Sequence, residues 1–437
     1  MKENNMARKT HPLLWIPSSY IVMGIIYTMV VTVGAIMYRN MGLSVKEAAF
    51  ITSSLGIPYT IKPLWASFLE MFKTKKFFVV LMQIILGAML VLLGMALGMD
   101  DFVLWTSACL WVIGFAGSTQ DIATDGIWVT GMSTDKQAQY AGLQGMFWNI
   151  GPVIAQGPII WLTGVLHDKM AMTWAESWRI VMVSTAALMF VASFWHMRFL
   201  PRGSVAKDAP KSPSDAIRIF IDTLLSFFRK KQVWVLIAFV FLYRTSQGLL
   251  DKIAPLFMID AIENGGLGLS NEVLGTLVGV LGTPASILGG ILSGFYVAKK
   301  GLRRPLLFLC ACVNIPNATY IYLAMFQPDN VYVIGFIVVI EKFFWGVGAV
   351  GHMIYMMSQV APGPYKTAHY AFATSLMGLC MISTGMVSGF VYEALGGYIA
   401  FFVFVIVATV PSFIATYFAP FHHPDVNEQS GAPESPV

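Results

Sequence analysis

Charged residues are scarce in this sequence. Only 12% of the 437 residues are Asp, Glu, Lys or Arg, whereas 57% are hydrophobic, and the mean hydropathy is +0.68. A soluble domain typically carries about 25% charged residues, so the composition excludes an ordinary soluble protein and predicts one that lies in the lipid bilayer. The net charge of +5 comes from short basic clusters between apolar runs, so no nucleic-acid partner is predicted.

Cysteine is also rare, and its four residues all fall within long apolar stretches. A thiol in that setting behaves as a small apolar side chain, and Cys310 and Cys312 have no further metal-binding residues nearby. The sequence has no Walker loop, no Gly-x-Ser-x-Gly turn and no His/Asp/Glu cluster at metal spacing. We therefore predict no metal, no cofactor and no catalytic residues.

Long apolar stretches dominate the chain instead. A helix needs about 20 apolar residues to cross a bilayer, and twelve stretches reach this length. The first is too long for the core of a cleaved signal peptide and is predicted to remain as span 1. Numbered 1 to 12 in chain order, the predicted spans are 13–38, 47–72, 77–98, 102–131, 138–164, 178–200, 232–262, 271–298, 305–326, 331–359, 367–392 and 398–419.

Basic residues flank these spans on one side of the membrane. The positive-inside rule places loops rich in Lys and Arg in the cytoplasm, and an even number of spans puts both termini on the same side. The opposite loops are short or acidic. We therefore predict a multi-pass protein of the cell inner membrane with both termini cytoplasmic. The basic residues are Lys2, Arg8, Lys9, Lys73, Lys75, Lys76, Lys299, Lys300, Arg303 and Arg304.

The longest loop, 201–231, divides the spans six and six. Its second part is amphipathic around 217–228, which is typical of a helix lying along the membrane surface. The sequence KQAQYA at 136–141 recurs as KTAHYA at 366–371, and GIP at 56–58 is echoed by GTP at 282–284. These repeats predict an all-α membrane fold of two pseudo-symmetric six-helix bundles, the major facilitator architecture. The bundles are 1–200 and 232–420, the linker is 201–231, and the cytoplasmic tail is 421–437.

Two aspartates interrupt span 4. Asp121 and Asp125 are four residues apart and share one face of a helix. A carboxylate in hydrocarbon costs about 2.5 kcal/mol or more, so such residues usually face a protein interior or a water-filled path. We predict that both border a wet cleft and serve proton coupling or gating. Asp121 lies deeper and is the preferred proton carrier, whereas Asp125 could instead form a cytoplasmic gate with the basic cluster at 73–76.

Lys62 lies within span 2, between Pro58 and Pro63. Proline distorts a helix, and a buried lysine needs an opposite charge to keep its proton. Asp121 or Asp125 is the expected partner. Lys62 then either binds substrate or forms a structural ion pair that holds spans 2 and 4 together, and the sequence favours neither alternative.

Span 7 carries three polar residues on one face: Arg244, Gln247 and Asp251. The planar, permanently charged guanidinium suits a carboxylate or phosphate, and we predict that all three residues bind substrate. The alternative is that Arg244 pairs with Asp251 or with a carboxylate of span 10. Pro255 is expected to break the helix toward the outside.

Span 10 places Glu341, Trp345, His352 and Tyr355 on one stripe. A carboxylate with two aromatic rings suits a sugar, so Glu341, Trp345 and Tyr355 are predicted to bind substrate. His352 is a candidate proton switch because its unperturbed pKa lies near 6.5. The alternatives are packing aromatics and a structural histidine. Lys342 is adjacent in sequence to Glu341 and is expected to point elsewhere.

Spans 1 and 5 contribute neutral groups fit for hydroxyl or amide recognition. Tyr27, Gln144 and Trp148 are predicted to bind substrate, with Tyr20 and Asn149 nearby. The alternative is hydrogen bonding between helices, which is worth about 0.6 kcal/mol on average.

Four stretches resemble a known family. LGIPYTIKPLWASFLE in span 2, STQDIATDG in span 4, GGILSGFYVAKKGLRRPLL across spans 8 and 9, and EKFFWGVG with YKTAHYAFATSLM in spans 10 and 11 are similar to the AmpG-type muropeptide permeases of the major facilitator superfamily. The resemblance implies proton-driven import of N-acetylglucosamine–anhydro-muramic acid fragments. Glu70 stands where that family usually has aspartate, and Arg244 and Gln247 stand where it tends to have lysine and aspartate.

The sequence therefore predicts a proton-coupled secondary transporter that works by rocking two bundles around a central cavity. The expected cargo is a muropeptide or a related amino-sugar oligosaccharide, and the expected partners are that small molecule, protons and the lipid bilayer, with the protein a monomer. An anionic cargo such as a siderophore or an acyl-CoA is the alternative. A membrane enzyme or sensor that does not transport is a remote alternative, because no large extramembrane loop or acid–histidine cluster is present.

Overall fold

The computed structural model describes residues 10–70, 74–203, 212–363 and 365–425, which form helices joined by short turns and contain no strand. Within these ranges, eleven helices are long and apolar enough to cross a membrane, which confirms eleven of the predicted spans. Lys2, Arg8, Lys9 and Lys73, part of the linker, and the tail after 425 lie outside the described residues. The eleven helices are Pro12–Asn40, Lys75–Ala96, Phe102–Gly131, Gly142–Lys169, Trp174–Phe199, Val233–Ile259, Asn271–Lys300, Leu306–Phe326, Val331–Val360, Lys366–Leu395 and Tyr398–Tyr417.

The remaining span, span 2, is built from three consecutive helices, Val45–Ser54, Ile57–Ile61 and Pro63–Glu70. Its start is capped on both sides, because Ser44 accepts from the Glu47 amide while the Glu47 carboxylate accepts from the Ser44 amide. Each break falls beside a proline, since proline lacks the N–H that would continue the helix. The predicted distortion of this span is confirmed.

Several other spans contain a wide π-helical turn or a short interruption. A π turn adds a residue to the helix repeat and rotates the faces on either side of it. Faces inferred from unbroken helical spacing therefore shift in these spans. The π turns are Met29–Val33 in span 1, Ala155–Ile159 and Val165–Lys169 in span 5, Thr276–Gly282 in span 8 and Met356–Val360 in span 10; span 9 has a 3-10 turn at Ile315–Ala318 and span 12 divides into Tyr398–Val407 and Val410–Tyr417.

Span 7 is interrupted at a place that the sequence did not predict. Its two helices are Val233–Leu242 and Thr245–Ile259, and the break falls at Tyr243 and Arg244. Pro255 lies inside the second helix, which continues through it to Ile259. The expectation that Pro255 breaks the helix is therefore wrong: the missing N–H is accommodated within the helix, and the chain bends about ten residues earlier.

The linker contributes one amphipathic helix, Pro213–Phe228, as predicted. Several of its apolar side chains, including Ile217 and Leu225, are about half exposed. An exposed apolar stripe on a helix next to membrane spans is typical of a segment that lies in the membrane surface.

The contacts group the chain into two compact units. Unit 1 takes the described residues of Met1–Val30, Lys62–Ala155 and Met172–Phe220, and unit 2 takes those of Val31–Ile61, Gln156–Ala171 and Ile221–Val437. Trp15, Tyr20 and Trp128 centre the core of unit 1, and Phe239, Tyr243 and Tyr355 centre a core of unit 2. Because this grouping cuts through spans 1, 2 and 5, it does not test the division into six-helix halves, which stays a prediction.

Candidate functional site

An ion pair lies within unit 1 at the end of the broken part of span 2. The Lys62 ammonium contacts the Asp121 carboxylate of span 4, which was one of the two partners expected for it. The Asp121 side chain is only 13% exposed and that of Lys62 is 35% exposed. The pair is therefore sheltered but not fully buried, which suits either a structural or a transport role.

Asp125 is held by a hydrogen-bonded chain from two other spans. The Tyr20 hydroxyl donates to Asp125 Oδ1 at 2.9 Å, and Gln144 Nε2 donates to the Tyr20 oxygen at 2.8 Å. Tyr20 is buried, with an edge-on contact to Trp128. This chain gives Asp125 a neutral partner, whereas its proposed basic gate partners include Lys73, which lies outside the described residues. The Asp125–Tyr20 bond was not predicted.

Two more predicted residues of unit 1 lie side by side. The rings of Tyr27 and Trp148 are 6.1 Å apart between centroids and tilted by 44°. Both side chains are partly exposed. Spans 1 and 5 thus bring Tyr27 and Trp148 together, and the Tyr20–Gln144 bond joins the same two spans.

Arg244 occupies the break of span 7 in unit 2. Its guanidinium lies over the Trp345 ring, 5.2 Å from the centroid, and Nη1 is 3.6 Å from the Met377 sulfur. Among the described residues it makes no ion pair, so the expected alternative of a pair with Asp251 is wrong. Arg244 and Asp251 are seven positions apart in span 7, and the guanidinium lies over the Trp345 ring instead.

Asp251 belongs to a different polar chain. Gln247 Nε2 donates to Asp251 Oδ1 at 2.7 Å, and Lys342 Nζ lies 3.5 Å from Asp251 Oδ1 and 3.1 Å from Glu341 Oε2. Glu341 is 1% exposed. The expectation that Lys342 points away is therefore wrong: a buried carboxylate requires a counter-charge, and the flexible lysine stem bends toward the preceding residue, Glu341, to supply it.

His352 and Tyr355 lie in a packed aromatic core of unit 2. The His352 ring stacks on Tyr243 with centroids 4.6 Å apart, and the Tyr355 ring lies 4.2 Å from that of Phe239. The Tyr355 hydroxyl donates to the Pro420 carbonyl at 2.6 Å. Both residues are buried. The packing favours the alternative of structural residues, and their assignment to the site stays a prediction.

Unit 2 also contains two polar clusters that the sequence did not single out. Lys252 is buried in unit 2, where Nζ donates to the Val31 carbonyl at 2.6 Å and to Thr52 at 3.1 Å. The Arg39 guanidinium pairs with Asp260, which also accepts from the Tyr398 hydroxyl at 2.7 Å. The sequence did contain a signal for the first of these clusters, because Lys252 is a charged residue inside a predicted span, directly after Asp251.

Asp260 lies just past the end of the Val233–Ile259 span. Burial alone would raise the pKa of this carboxyl, but hydrogen bonds from Tyr398, Arg39 and Asn264 together hold the pKa below its ordinary value. The carboxylate is therefore charged at neutral pH, and its pairing with Arg39 joins spans 1, 7 and 12 within unit 2.

Among the described residues, no group of His, Cys, Asp and Glu could hold a metal ion. The polar clusters instead consist of lysine–carboxylate pairs, an arginine on an aromatic ring, and amide or tyrosine bonds. Such sets bind solutes by charge and hydrogen bonding, and they can take up or release a proton at a carboxylate.

The sequence matches the Major Facilitator Superfamily over residues 18–380. It is 22% identical to the anhydromuropeptide permease of Escherichia coli (strain K12) over 83% of this chain and 70% of that relative. It is also 22% identical to the putative transporter AmpG 1 of Rickettsia bellii, over 83% of this chain and 87% of that relative.

Solved structures share the fold at lower identity. A bacterial homologue of the human lysosomal transporter Spinster superposes with a TM-score of 0.71 at 15% identity, covering 93% of this chain and 96% of the other. The nucleoside transporter NupG gives 0.68 at 15% identity, covering 93% and 99%. These likenesses confirm the predicted all-α major facilitator fold.

Proposed function

Since the chain belongs to the major facilitator superfamily and is a multi-pass membrane transporter of a small molecule rather than an enzyme, we propose that it imports a muropeptide together with protons. The observation that carries the proposal is the likeness to anhydromuropeptide permeases over 83% of the chain. The expected cargo is an N-acetylglucosamine–anhydro-muramic acid fragment or a related amino-sugar oligosaccharide, entering through the cell inner membrane toward the cytoplasm.

The arrangement of polar groups supports such a cargo. Tyr27 and Trp148 in unit 1 offer aromatic faces for the apolar side of a sugar ring, and Gln144 offers an amide. In unit 2, the Arg244 guanidinium lies over the Trp345 ring and can donate two parallel hydrogen bonds to a carboxylate. A muropeptide has sugar rings, which can stack on the aromatic side chains, and carboxylates, which can pair with the guanidinium.

We assign the coupled proton to Asp121. Its carboxylate is paired with Lys62, so protonation would remove the charge that holds the ammonium and would free the broken segment of span 2 to move. Asp125 accepts a hydrogen bond from Tyr20 instead, and no described lysine or arginine forms an ion pair with it. A membrane potential of 100 mV supplies about 2.3 kcal/mol per charge moved, enough for roughly 50-fold accumulation per proton.

Uptake by right-side-out membrane vesicles with an inside-negative potential tests the proposal. Vesicles that contain the protein should accumulate labelled anhydro-muropeptide above the outside concentration, and a proton ionophore should reduce this to equilibration. Vesicles without the protein are the control. Absence of uptake would reject the cargo, and accumulation that persists with the ionophore would reject proton coupling.

One observation favours a second cargo, an anionic solute such as a siderophore or an acyl-CoA. Arg244 makes no ion pair with any described carboxylate, so its charge is available to an anion. Competition separates the two cargoes: an excess of siderophore or acyl-CoA that suppresses uptake of the labelled muropeptide would favour the anionic cargo, and no competition would discard it.

A further inference from the structure

Unit 1 contains a groove that the proposed transport path does not use. Its volume is about 370 Å³, and it lies between the start of span 3 and the end of span 6. Two cations, Lys76 and Arg202, stand at one end, and Phe77, Val80, Ile84 and Met197 form its apolar walls. Charge at one end and hydrocarbon along the rest is the pattern of an amphipathic ligand.

The secondary structure fixes this separation of charge and apolar surface. Lys76, Val80 and Ile84 follow one another at four-residue spacing in the helix Lys75–Ala96, so they form a single stripe about 12 Å long. The Lys76 amide donates to the Arg202 carbonyl at 3.3 Å, which holds the chain after span 6 beside the first turn of span 3. Both cations therefore lie at the same end of the stripe.

The apolar walls are open and the cations carry no acidic partner within the described ranges. Phe77 is 57% exposed, Met197 49% and Ile84 42%. None of the described carboxylates forms an ion pair with Lys76 or Arg202. Arg198, in the last turn of span 6, adds a further positive charge nearby.

We propose that this groove binds one anionic phospholipid, independently of the transported solute. The lipid phosphate lies between Lys76 and Arg202, and one acyl chain lies along Val80, Ile84 and Met197. Basic pockets at the ends of membrane spans attract acidic lipid headgroups by about 1 kcal/mol per cation. The apolar walls offer a contact surface to the acyl chain of a lipid, whereas a free phosphate ion has no apolar part to place there.

Native mass spectrometry of the full-length protein in neutral detergent tests the site, with phosphatidylglycerol as the probe and phosphatidylcholine for comparison. Substituting both cations, Lys76→Gln with Arg202→Gln, should weaken phosphatidylglycerol binding about 30-fold. Lys299→Gln with Lys300→Gln removes the same charge from the end of span 8 and should leave binding within about twofold. Ile84→Trp fills the groove without changing charge and should also weaken binding.

Three results would overturn the proposal. Equal loss in the span 8 variant would mean diffuse attraction to a positive surface, and unchanged binding in Ile84→Trp would mean that the groove holds no acyl chain. Glycerol phosphate binding as tightly as the lipid would identify a phosphate site instead. If the double variant fails to fold, as judged by its melting curve, the Ile84→Trp result still decides.

Discussion

The two carboxylates of span 4 have different partners although they lie one helical turn apart. Asp121 is paired with Lys62, whereas Asp125 accepts from the Tyr20 hydroxyl at 2.9 Å. Removing one member of a sheltered ion pair leaves the other uncompensated. The two carboxylates are therefore expected to respond differently to the same substitution.

Asp121→Asn is expected to abolish accumulation of the labelled solute while sparing counterflow exchange, because the amide cannot take up the coupled proton but the site can still bind and turn. Asp125→Asn is the matched control: its amide oxygen can still accept from Tyr20, so accumulation should persist. Vesicle uptake and counterflow are the measurements. Normal accumulation by Asp121→Asn would refute the assignment.

Arg244→Lys is expected to raise the KM for uptake about 10-fold, since the ammonium loses the planar fork and part of the attraction to the Trp345 ring. The charge is retained, so the change isolates geometry from charge. Lys300→Arg, at the end of span 8, is a control that should leave the KM unchanged. An unchanged KM for Arg244→Lys would show that Arg244 does not touch the cargo.

At the scale of elements, spans 1 and 5 pack so closely that their backbones are in direct contact at Gly24 and Gly151. A Cβ added at Gly151 would lie 2.6 Å from the Gly24 Cα and 2.6 Å from the Ile25 nitrogen. These are backbone atoms of span 1, which cannot move aside independently. The Tyr20–Gln144 bond depends on the same packing, so span separation and the polar chain at Asp125 are coupled.

Gly151→Ala is therefore expected to lower the melting temperature of the purified protein, because overpacking costs about 1–3 kcal/mol. Gly145→Ala lies in the same helix with open space around its added Cβ. It should be neutral or slightly stabilising, since Ala exceeds Gly in helix propensity by about 1 kcal/mol. Equal melting temperatures for the two variants would contradict the close contact.

At the scale of the whole molecule, unit 2 collects the ends of several spans into two polar clusters. Arg39 of span 1 and Tyr398 of span 12 both bind Asp260, and Asn271 Nδ2 donates to Asn40 at 2.7 Å and to Thr163 at 2.9 Å. Spans 1, 5, 7, 8 and 12 are thus joined there.

Asp260→Asn is expected to destabilise the purified protein by about 2 kcal/mol at pH 7, because two charge-assisted bonds are weakened. The folded pKa of Asp260 is depressed, so its contribution is complete above the unfolded pKa of about 3.9 and is lost as the pH falls through the folded value. The difference between wild type and variant in thermal melts should persist at pH 5 and shrink only below about pH 4.

A second pair in the same unit provides the control for this prediction. Lys46 Nζ lies 2.5 Å from Glu393 Oε2, but the two side chains are 34% and 60% exposed. An exposed pair contributes about 0–1 kcal/mol, so Glu393→Gln should hardly change the melting temperature. An equal loss in both variants, or a difference at Asp260 that vanishes already at pH 6, would contradict the role given to Asp260.

The sequence by itself determined which stretches cross the membrane and that they form helices. Apolar length is dictated by bilayer thickness, and a backbone in lipid must satisfy its own hydrogen bonds. The distortion of span 2 at Pro58 and Pro63 was also readable, because proline removes a donor wherever it stands. So was the Lys62–carboxylate pair, since the choice of partners was small.

Only the tertiary structure decided which polar groups meet. Arg244 does not reach Asp251, Lys342 turns onto Glu341, and Tyr355 points into a packed core. Helical spacing shows which side chains share a face, and Glu341, His352 and Tyr355 do lie in one unbroken helix, Val331–Tyr355. It does not show which neighbouring span packs against that face. Partner choice depends on that packing, which no local pattern in the chain records.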